Sequence, residues 1–163
     1  MRQSEGKLPL SDAAPQIAAA MLIMVRQHRS APPVLQRYYY TCLKWMAREL
    51  EQFVQPRVSE AAQALASKKG LGDLRAYRYT DQPVAMRDPG RAIFHWEHII
   101  PTSDMVNSIL ALDEPTIASI GDVLIKAQVA WITKEEDKRL PVSRRADPAQ
   151  CYADAGARLL PEK

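Results

Sequence analysis

Cysteine and glycine are scarce in this sequence, and long hydrophobic runs are absent from it. The two cysteines, Cys42 and Cys151, lack the Cys-x-x-Cys spacing of a structural zinc site and are too few for a disulfide scaffold. The most apolar segment, residues 17–25, is too short to cross a bilayer. The segment before it contains an acidic residue and is followed by prolines, which makes a poor signal peptide. We therefore expect a cytoplasmic protein that is not a membrane partner.

Several common catalytic motifs are missing as well. The sequence has no Walker A loop, GxGxxG turn, GxSxG elbow, HExxH pair or EF-hand loop. These absences disfavour P-loop nucleotide hydrolysis, Rossmann cofactors, α/β-hydrolase chemistry and zincin proteolysis. Cys42 lies on the apolar side of a predicted helix without a neighbouring base, so cysteine catalysis is disfavoured too.

The composition is that of a globular protein with a mild excess of positive charge. Apolar residues make up 47% and charged residues 25% of the chain, which is enough to bury a core. The net charge is +3, and residues 1–70 carry ten Lys or Arg against five Asp or Glu. This asymmetry is compatible with an anionic partner, although a solvated basic face is the more common meaning of such a pattern.

Hydrophobic spacing and turn signals predict a mainly α fold with a small β-sheet, in the α+β class. We expect a flexible N-terminal arm over residues 1–12 and a single domain over 13–163. Within that domain, residues 13–70 form a helical part with three helices. Residues 71–163 form a small mixed α+β part.

The second predicted helix, residues 33–55, is the clearest element. Its apolar stripe consists of Leu35, Tyr38, Cys42, Trp45, Met46, Leu50 and Phe53. We expect this stripe, including Trp45 and Leu50, to be buried. The opposite side carries Arg37, Tyr40, Lys44 and Arg48. This side is the predicted nucleic-acid-binding face, with cations on phosphates and the tyrosine stacking or hydrogen bonding; a solvated face is the alternative.

Capping residues delimit the other helices of the helical part. Ser11 or Asp12 is expected to cap the first helix, which runs to about His28. Ser59 is expected to cap the third helix, and Gly70 to end it. The N-terminal helices also offer a surface for a homodimer or a protein partner.

Strand-like composition marks three segments of the mixed part. Residues 74–80 and 91–100 flank a turn-rich loop and are predicted to pair as an irregular hairpin. Residues 128–133 are a third strand. Thr133 and Glu136 then form a capping box that opens a short helix. Between the strands, Ser103 and Asp113 are expected to cap two helices.

Two of the three histidines lie in the segment FHWEHIIP, residues 94–101. On a strand, alternation places His95 and Glu97 on one face and His98 on the other. A structural interpretation makes His98 a strand-end histidine and pairs Glu97 with Arg87 or Arg91. Under that interpretation the segment has no catalytic role.

The residues Glu97-His98-Ile99-Ile100-Pro101 also resemble the signature of HNH-type (ββα-metal) endonucleases, which often reads Asp-His-Ile-x-Pro. The resemblance implies that His98 is the general base on the attacking water and that Glu97 helps to hold Mg²⁺ or Mn²⁺. In that family a further ligand comes from the following helix, which implicates Asn107, or Asp104 as a substitute. This arrangement requires the strand to end between Glu97 and His98.

Two functional hypotheses follow. One is a small HNH-like, metal-dependent nuclease, or a nuclease-derived protein that binds nucleic acid. The other is a non-enzymatic regulatory or interaction protein, which binds a protein or a nucleic acid through its helical part and has no active site and no metal.

Overall fold

The computed structural model describes residues 8–162. Its helices and strands are α1 (Leu10–Ser30), α2 (Pro33–Glu49), β1 (Arg57–Val58), α3 (Glu60–Lys68), β2 (Phe94–His98), α4 (Thr102–Leu110), α5 (Ile117–Leu124), β3 (Val129–Thr133), α6 (Lys134–Asp137) and α7 (Pro148–Asp154). The predicted class, mainly helical α+β with a small sheet, is confirmed. Most of the predicted N-terminal arm, residues 1–7, lies outside the described residues. None of the helices described combines the length and the apolar character needed to cross a membrane.

The chain divides into two compact units, and each unit is built from two separate stretches of sequence. The first unit comprises the chain up to Val54 together with residues 102–127. The second comprises residues 55–101 and the chain from Gln128 onward. The division near residue 70 that we predicted within the domain falls inside the second unit.

The first unit is a set of packed helices. Helix α1 packs against α2 and α5, and α4 packs against α2 and α5. Its fully buried side chains include Met21, Val25, Leu43, Leu50, Ile109, Ile120 and Leu124. Each helix therefore buries an apolar stripe against its neighbours, as amphipathic helices of globular proteins do.

Three helix starts differ from the prediction. Helix α4 begins at Thr102, so Ser103 lies within the helix and is not its cap. Helix α1 begins at Leu10, after Pro9, and no side chain caps its first turn, so neither Ser11 nor Asp12 is its cap. Helix α5 is capped by Thr116 rather than by Asp113. Pro115 explains the later start of α5, because a proline disfavours helical backbone at the residue before it.

Helix α2 buries a different face from the one we predicted. Leu43 and Ala47 are buried, whereas Trp45 is 61% exposed and Tyr38 is 60% exposed. Helix α2 ends at Glu49 and not near residue 55, and the buried Leu50 begins the 3-10 turn that follows it. The prediction is confirmed for Leu50 and wrong for Trp45. The predicted stripe and the buried stripe both have helical spacing. We predicted the first because it contains the large aromatic residues Tyr38 and Trp45. The smaller Leu43 and Ala47 allow the closer approach of a neighbouring helix.

The second unit is built around a three-stranded mixed sheet with the order β1-β3-β2. Strand β1 runs parallel to β3 and β2 runs antiparallel to it, with Phe94 opposite Thr133 and His98 opposite Val129. All five residues of β3 are buried. The short strand β1 was not predicted, because two residues are too few to show a periodic pattern.

The predicted hairpin of residues 74–80 and 91–100 is wrong. Residues Leu74–Ala76 form a 3-10 turn, in which the Asp73 side chain accepts from Arg75 N. The backbone after it is irregular, and the Tyr77 carbonyl oxygen accepts from Trp131 Nε1 at 2.8 Å. Strand β2 pairs with the distant β3 instead, so the aromatic composition of 74–80 reflects packing against a strand and not membership of one.

The capping predictions in the second unit are confirmed. Ser59 Oγ accepts from Ala62 N at the start of α3, and Gly70 follows that helix with φ +72°. Thr133 and Glu136 form the capping box of α6, with distances of 3.1 and 2.8 Å. Ser59 Oγ also donates to Glu136 Oε2 at 2.7 Å. Glu136 is therefore a buried structural carboxylate that links the starts of two helices.

The burial of α2 and of the 3-10 turn that follows it can be tested by comparing two large-to-small substitutions. Leu50→Ala should lower the free energy of unfolding by about 2–5 kcal/mol, because Leu50 is fully buried. Trp45→Ala should change it by no more than about 0.5 kcal/mol, since Trp45 is largely exposed. Urea unfolding followed by circular dichroism measures both. Equal losses for the two variants would contradict the assigned faces.

Candidate functional sites

Strands β2 and β3 bring five polar or charged side chains of the second unit together. Because α6 begins directly after β3, its first turn lies beside the start of β2, and Lys134 N donates to the Ile93 carbonyl oxygen at 2.8 Å. The side chains that meet there are His95, Glu97, Lys134, Asp137 and Arg145, which we call the β2 cluster.

Within the β2 cluster, His95 lies between two carboxylates and an ammonium group. His95 Nε2 is 3.0 Å from Glu97 Oε2 and 3.3 Å from Asp137 Oδ1. Lys134 Nζ is 2.6 Å from His95 Nδ1 and 3.1 Å from Asp137 Oδ2. An ammonium group can only donate, so Nδ1 accepts and Nε2 carries the proton that both carboxylates share.

Both carboxylate oxygens of Glu97 have a partner in the β2 cluster, Oε2 in His95 and Oε1 in Arg145. Arg145 Nη1 lies 2.6 Å from Glu97 Oε1, and the Arg145 side chain is only 2% exposed. Burial by itself would raise the pKa of Glu97. The hydrogen bond from His95 and the charge and hydrogen bond of Arg145 outweigh it, and the pKa of Glu97 is lowered. Glu97 is thus an ionised, partly buried carboxylate.

The predicted alternation along β2 is confirmed, because His95 and Glu97 contact each other on one face. Strand β2 extends through His98, so His98 points to the opposite face from Glu97. The His98 carbonyl oxygen accepts from Arg145 at 3.0 Å. An HNH-type arrangement requires the strand to end one residue earlier, between Glu97 and His98.

The structural interpretation named the wrong cation for Glu97. The partner is Arg145 and not Arg87 or Arg91. Arg91 stacks instead over the Tyr79 ring, at 4.6 Å from its centroid. Arg145 lies 48 residues after Glu97 in sequence, so no local spacing could have identified it.

The predicted ligands Asn107 and Asp104 lie on α4, in the first unit. Asn107 Oδ1 accepts from the Tyr40 hydroxyl at 3.2 Å. Asp104 Oδ1 accepts from Ser103 Oγ at 3.4 Å. Asn107 thus contacts a residue that we predicted independently as part of the basic face.

Three members of the β2 cluster have the donor types of a metal site. Among residues 8–162, His95, Glu97 and Asp137 offer ligand atoms that all lie within 4.8 Å of one another. Two features oppose a metal there. The two carboxylates are already balanced by Lys134 and Arg145, and Nε2 binds a metal only after losing its proton, which requires Lys134 to withdraw from Nδ1. Within the cluster, Lys134 pairs with Asp137 and Arg145 pairs with Glu97, so the carboxylate charges are balanced without a metal ion.

The second candidate site is a groove along α2. It has a volume of about 350 Å³ and is lined by Arg37, Tyr40, Thr41, Lys44, Trp45, Arg48 and Thr102, which we call the α2 groove. The structure therefore brings all four residues of the predicted basic face to one concavity. Sequence analysis missed Trp45 as a member because its aromatic ring suggested burial. Trp45 lies one helical turn from both Thr41 and Arg48, and this spacing could have indicated that it shares their side of α2.

In comparisons with protein-family models, curated proteins and solved structures, nothing matched this chain. The resemblance of residues 97–101 to HNH-type nucleases therefore stays a prediction. The two sites have to be interpreted from their own geometry and charge.

The lowered pKa of Glu97 makes a prediction about acid stability. A carboxylate whose pKa is lowered on folding stabilises the protein fully above its ordinary value of 4.5, and this stability is lost as the pH falls through the lower folded-state value. The difference in the free energy of unfolding between the natural protein and Glu97→Gln should therefore be largest above pH 4.5 and shrink below it. Unfolding in urea with a chelator present measures this difference.

Glu135→Gln is the matched control for the acid-stability experiment. Glu135 pairs with Lys138 at 2.7 Å, but its side chain is 72% exposed, so solvent screens the pair. We expect little pH dependence from this substitution. A similar pH dependence for both variants would mean that the buried pair with Arg145 is not what lowers the pKa of Glu97.

Proposed function

We propose that the protein binds single-stranded nucleic acid along the α2 groove. The observation that carries the proposal is the placement of three cations, Arg37, Lys44 and Arg48, in one groove with the exposed ring of Trp45. Cations that follow a phosphate backbone, together with aromatic rings on which bases stack, are the usual elements of such a surface.

The charges of the α2 groove are uncompensated, unlike those of the β2 cluster. Within residues 8–162, no carboxylate forms an ion pair with Arg37, Lys44 or Arg48, whereas Lys134 and Arg145 are each paired. Three neighbouring cations without counter-charges raise the local concentration of anions. This contrast favours an external polyanion at α2 and an internal, structural role for the β2 cluster.

The length of the basic stripe fits a short stretch of nucleic acid. Arg37 and Arg48 are eleven residues apart on α2, which corresponds to about 16 Å of helix. At a rise of about 3.4 Å per nucleotide this covers on the order of four to five nucleotides. Tyr40 also lines the groove, and its hydroxyl donates to Asn107 Oδ1 at 3.2 Å.

A protein partner or a second copy of the chain is the alternative occupant of this face. The exposed Val34, Tyr38 and Trp45 would supply apolar contact area for it. However, Lys is depleted at such interfaces, and in a symmetric dimer the cations of one copy would lie close to those of the other and repel them. Three cations around Trp45 therefore favour nucleic acid.

Removing the three cations tests the proposal. The variant Arg37→Gln/Lys44→Gln/Arg48→Gln should bind single-stranded DNA and RNA oligonucleotides more weakly, with the slope of log affinity against log salt reduced by about 2, because roughly three phosphate contacts are lost. Fluorescence anisotropy at several salt concentrations measures the slope. For the natural protein, about a fourfold rise in salt should cost roughly twentyfold in affinity.

Lys68→Gln/Lys69→Gln/Lys126→Gln is the matched control, because it removes the same charge from exposed lysines outside the groove. We expect it to keep most of the affinity and the salt dependence. If both triple variants lose affinity equally, binding depends on the net charge and not on the α2 groove.

The competing proposal is a metal-dependent nuclease, supported by the motif at residues 97–101. Mg²⁺ or Mn²⁺ would then be held by Glu97 with other residues of the β2 cluster, and His98 would act on water. The positions of Glu97 and His98 on opposite faces of β2 weigh against it. Binding without cleavage is therefore the function we favour.

Incubation of the purified protein with plasmid and RNA separates the two proposals. We expect no cleavage that depends on Mg²⁺ or Mn²⁺ and is prevented by a chelator. Metal-dependent cleavage that falls by about 10²–10⁴ in His98→Ala would establish the nuclease instead, since losses of that size are typical of a general base.

A further inference from the structure

The second unit contains an open cavity of about 690 Å³ beside α7. Strand β1 and the start of α3 contribute Arg57 and Glu60 to its walls, and Tyr152 contributes from α7. Four alanines and Gly156 line much of the remainder, so small side chains leave the space open. The volume lies within the range of small-molecule sites.

Two residues in the wall of this cavity, Arg57 and Tyr152, each carry a buried donor atom that has no hydrogen-bond partner in the part of the chain that is described. The atoms Arg57 Nε and Tyr152 Oη are both buried from solvent, and neither forms a hydrogen bond within residues 8–162. The whole Tyr152 residue is only 4% exposed. Nearly all buried polar atoms of folded proteins are hydrogen-bonded, so two exceptions in the wall of one cavity call for a shared explanation.

We propose that this cavity binds a small organic anion through a carboxylate or phosphate group. A guanidinium and a phenol both donate hydrogen bonds to oxygen, so the group they suit is an oxyanion. Arg158, whose side chain is 80% exposed, stands at the wall of the same cavity and adds a second positive charge. The alanine-lined walls suit a compact apolar body attached to the anionic group.

The acidic side chains of the cavity do not cancel this positive character. Glu136 is buried, but its carboxylate already accepts from Ser59 Oγ and Thr133 N. Glu60 lies 3.6 Å from Arg158, and both side chains are half or more exposed, so solvent screens the pair. The charge of Arg57 therefore remains available to a ligand, apart from one competitor.

That competitor is Glu162. Its carboxylate oxygen lies 3.6 Å from Arg57 Nε, which is an ion-pair distance but too long for a hydrogen bond. The Glu162 side chain is 75% exposed and can move aside. A ligand anion would replace it on Arg57 and form the hydrogen bond that Glu162 does not.

The probes for the experiment are inorganic phosphate, phenyl phosphate and benzoate, titrated calorimetrically into the full-length protein at constant ionic strength. We expect phenyl phosphate or benzoate to bind with one-to-one stoichiometry. Comparing these two shows whether the site prefers phosphate or carboxylate, and inorganic phosphate shows the contribution of the apolar body. No saturable binding of any probe up to about 10 mM would overturn the proposal.

Variants then locate the site. Arg57→Gln should weaken binding at least about tenfold and Tyr152→Phe several-fold, because each loses a donor. Arg158→Ala removes an exposed side chain and should weaken binding without affecting the fold. Glu162→Gln should strengthen binding, since the competing carboxylate is gone. Affinity unchanged in both Arg158→Ala and Tyr152→Phe would contradict the assignment.

The α2 triple variant is the control for binding elsewhere, because its cations could also attract small anions. It should bind the preferred probe as the natural protein does. If it loses binding while Arg158→Ala keeps it, the anion binds at the α2 groove, and the cavity has no such role. This outcome is independent of whether nucleic acid binds along α2.

Discussion

Strand β3 has to be buried on both faces and paired along both edges, and the second unit is arranged around that requirement. All five of its residues are buried, with β1 on one edge and β2 on the other. The Trp131 ring packs against Trp96 of β2, with ring centroids 4.7 Å apart. The chain leaves β3 directly into α6, and this fixes where Lys134 and Asp137 meet β2. The β2 cluster is thus a consequence of the sheet topology.

Charge compensation distinguishes the β2 cluster from the α2 groove. In the β2 cluster every charge has a partner, and the lowered pKa of Glu97 is the result of that pairing. In the α2 groove three cations have no such partner among the described residues, and the adjacent Trp45 is exposed at a cost in hydration. The exposed apolar ring and the mutual repulsion of the three cations are unfavourable in the free protein, and a partner that offers phosphates and bases would relieve both.

Local signals predicted much of the fold. The caps at Ser59 and Thr133 depend on residues three apart, so they could be identified from sequence alone. The buried face of α2 could not, because two stripes share the helical period and only tertiary packing decides between them. The strand pairing of β2 also depends on residues more than thirty positions away, and the predicted hairpin failed for that reason.

In the candidate sites too, local spacing predicted some features, whereas others depend on residues far apart in sequence. The four basic-face residues share one helix, and their common side followed from spacing. The partners of Glu97 come from β2 itself and from Arg145, and only His95 was within reach of a local argument. Arg57 and Tyr152, whose buried donor atoms have no hydrogen-bond partner among residues 8–162, are 95 positions apart, and nothing in the sequence joins them.

Trp45 allows the central claim to be measured directly, because Trp96 and Trp131 are buried and Trp45 is exposed. A short single-stranded oligonucleotide that stacks on Trp45 should quench the tryptophan fluorescence as it binds, with a midpoint equal to the dissociation constant from anisotropy. Trp45→Phe should remove the quenching and leave the protein folded. Binding that leaves the fluorescence of the natural protein unchanged, or that quenches Trp45→Phe equally, would contradict the placement of nucleic acid in the α2 groove.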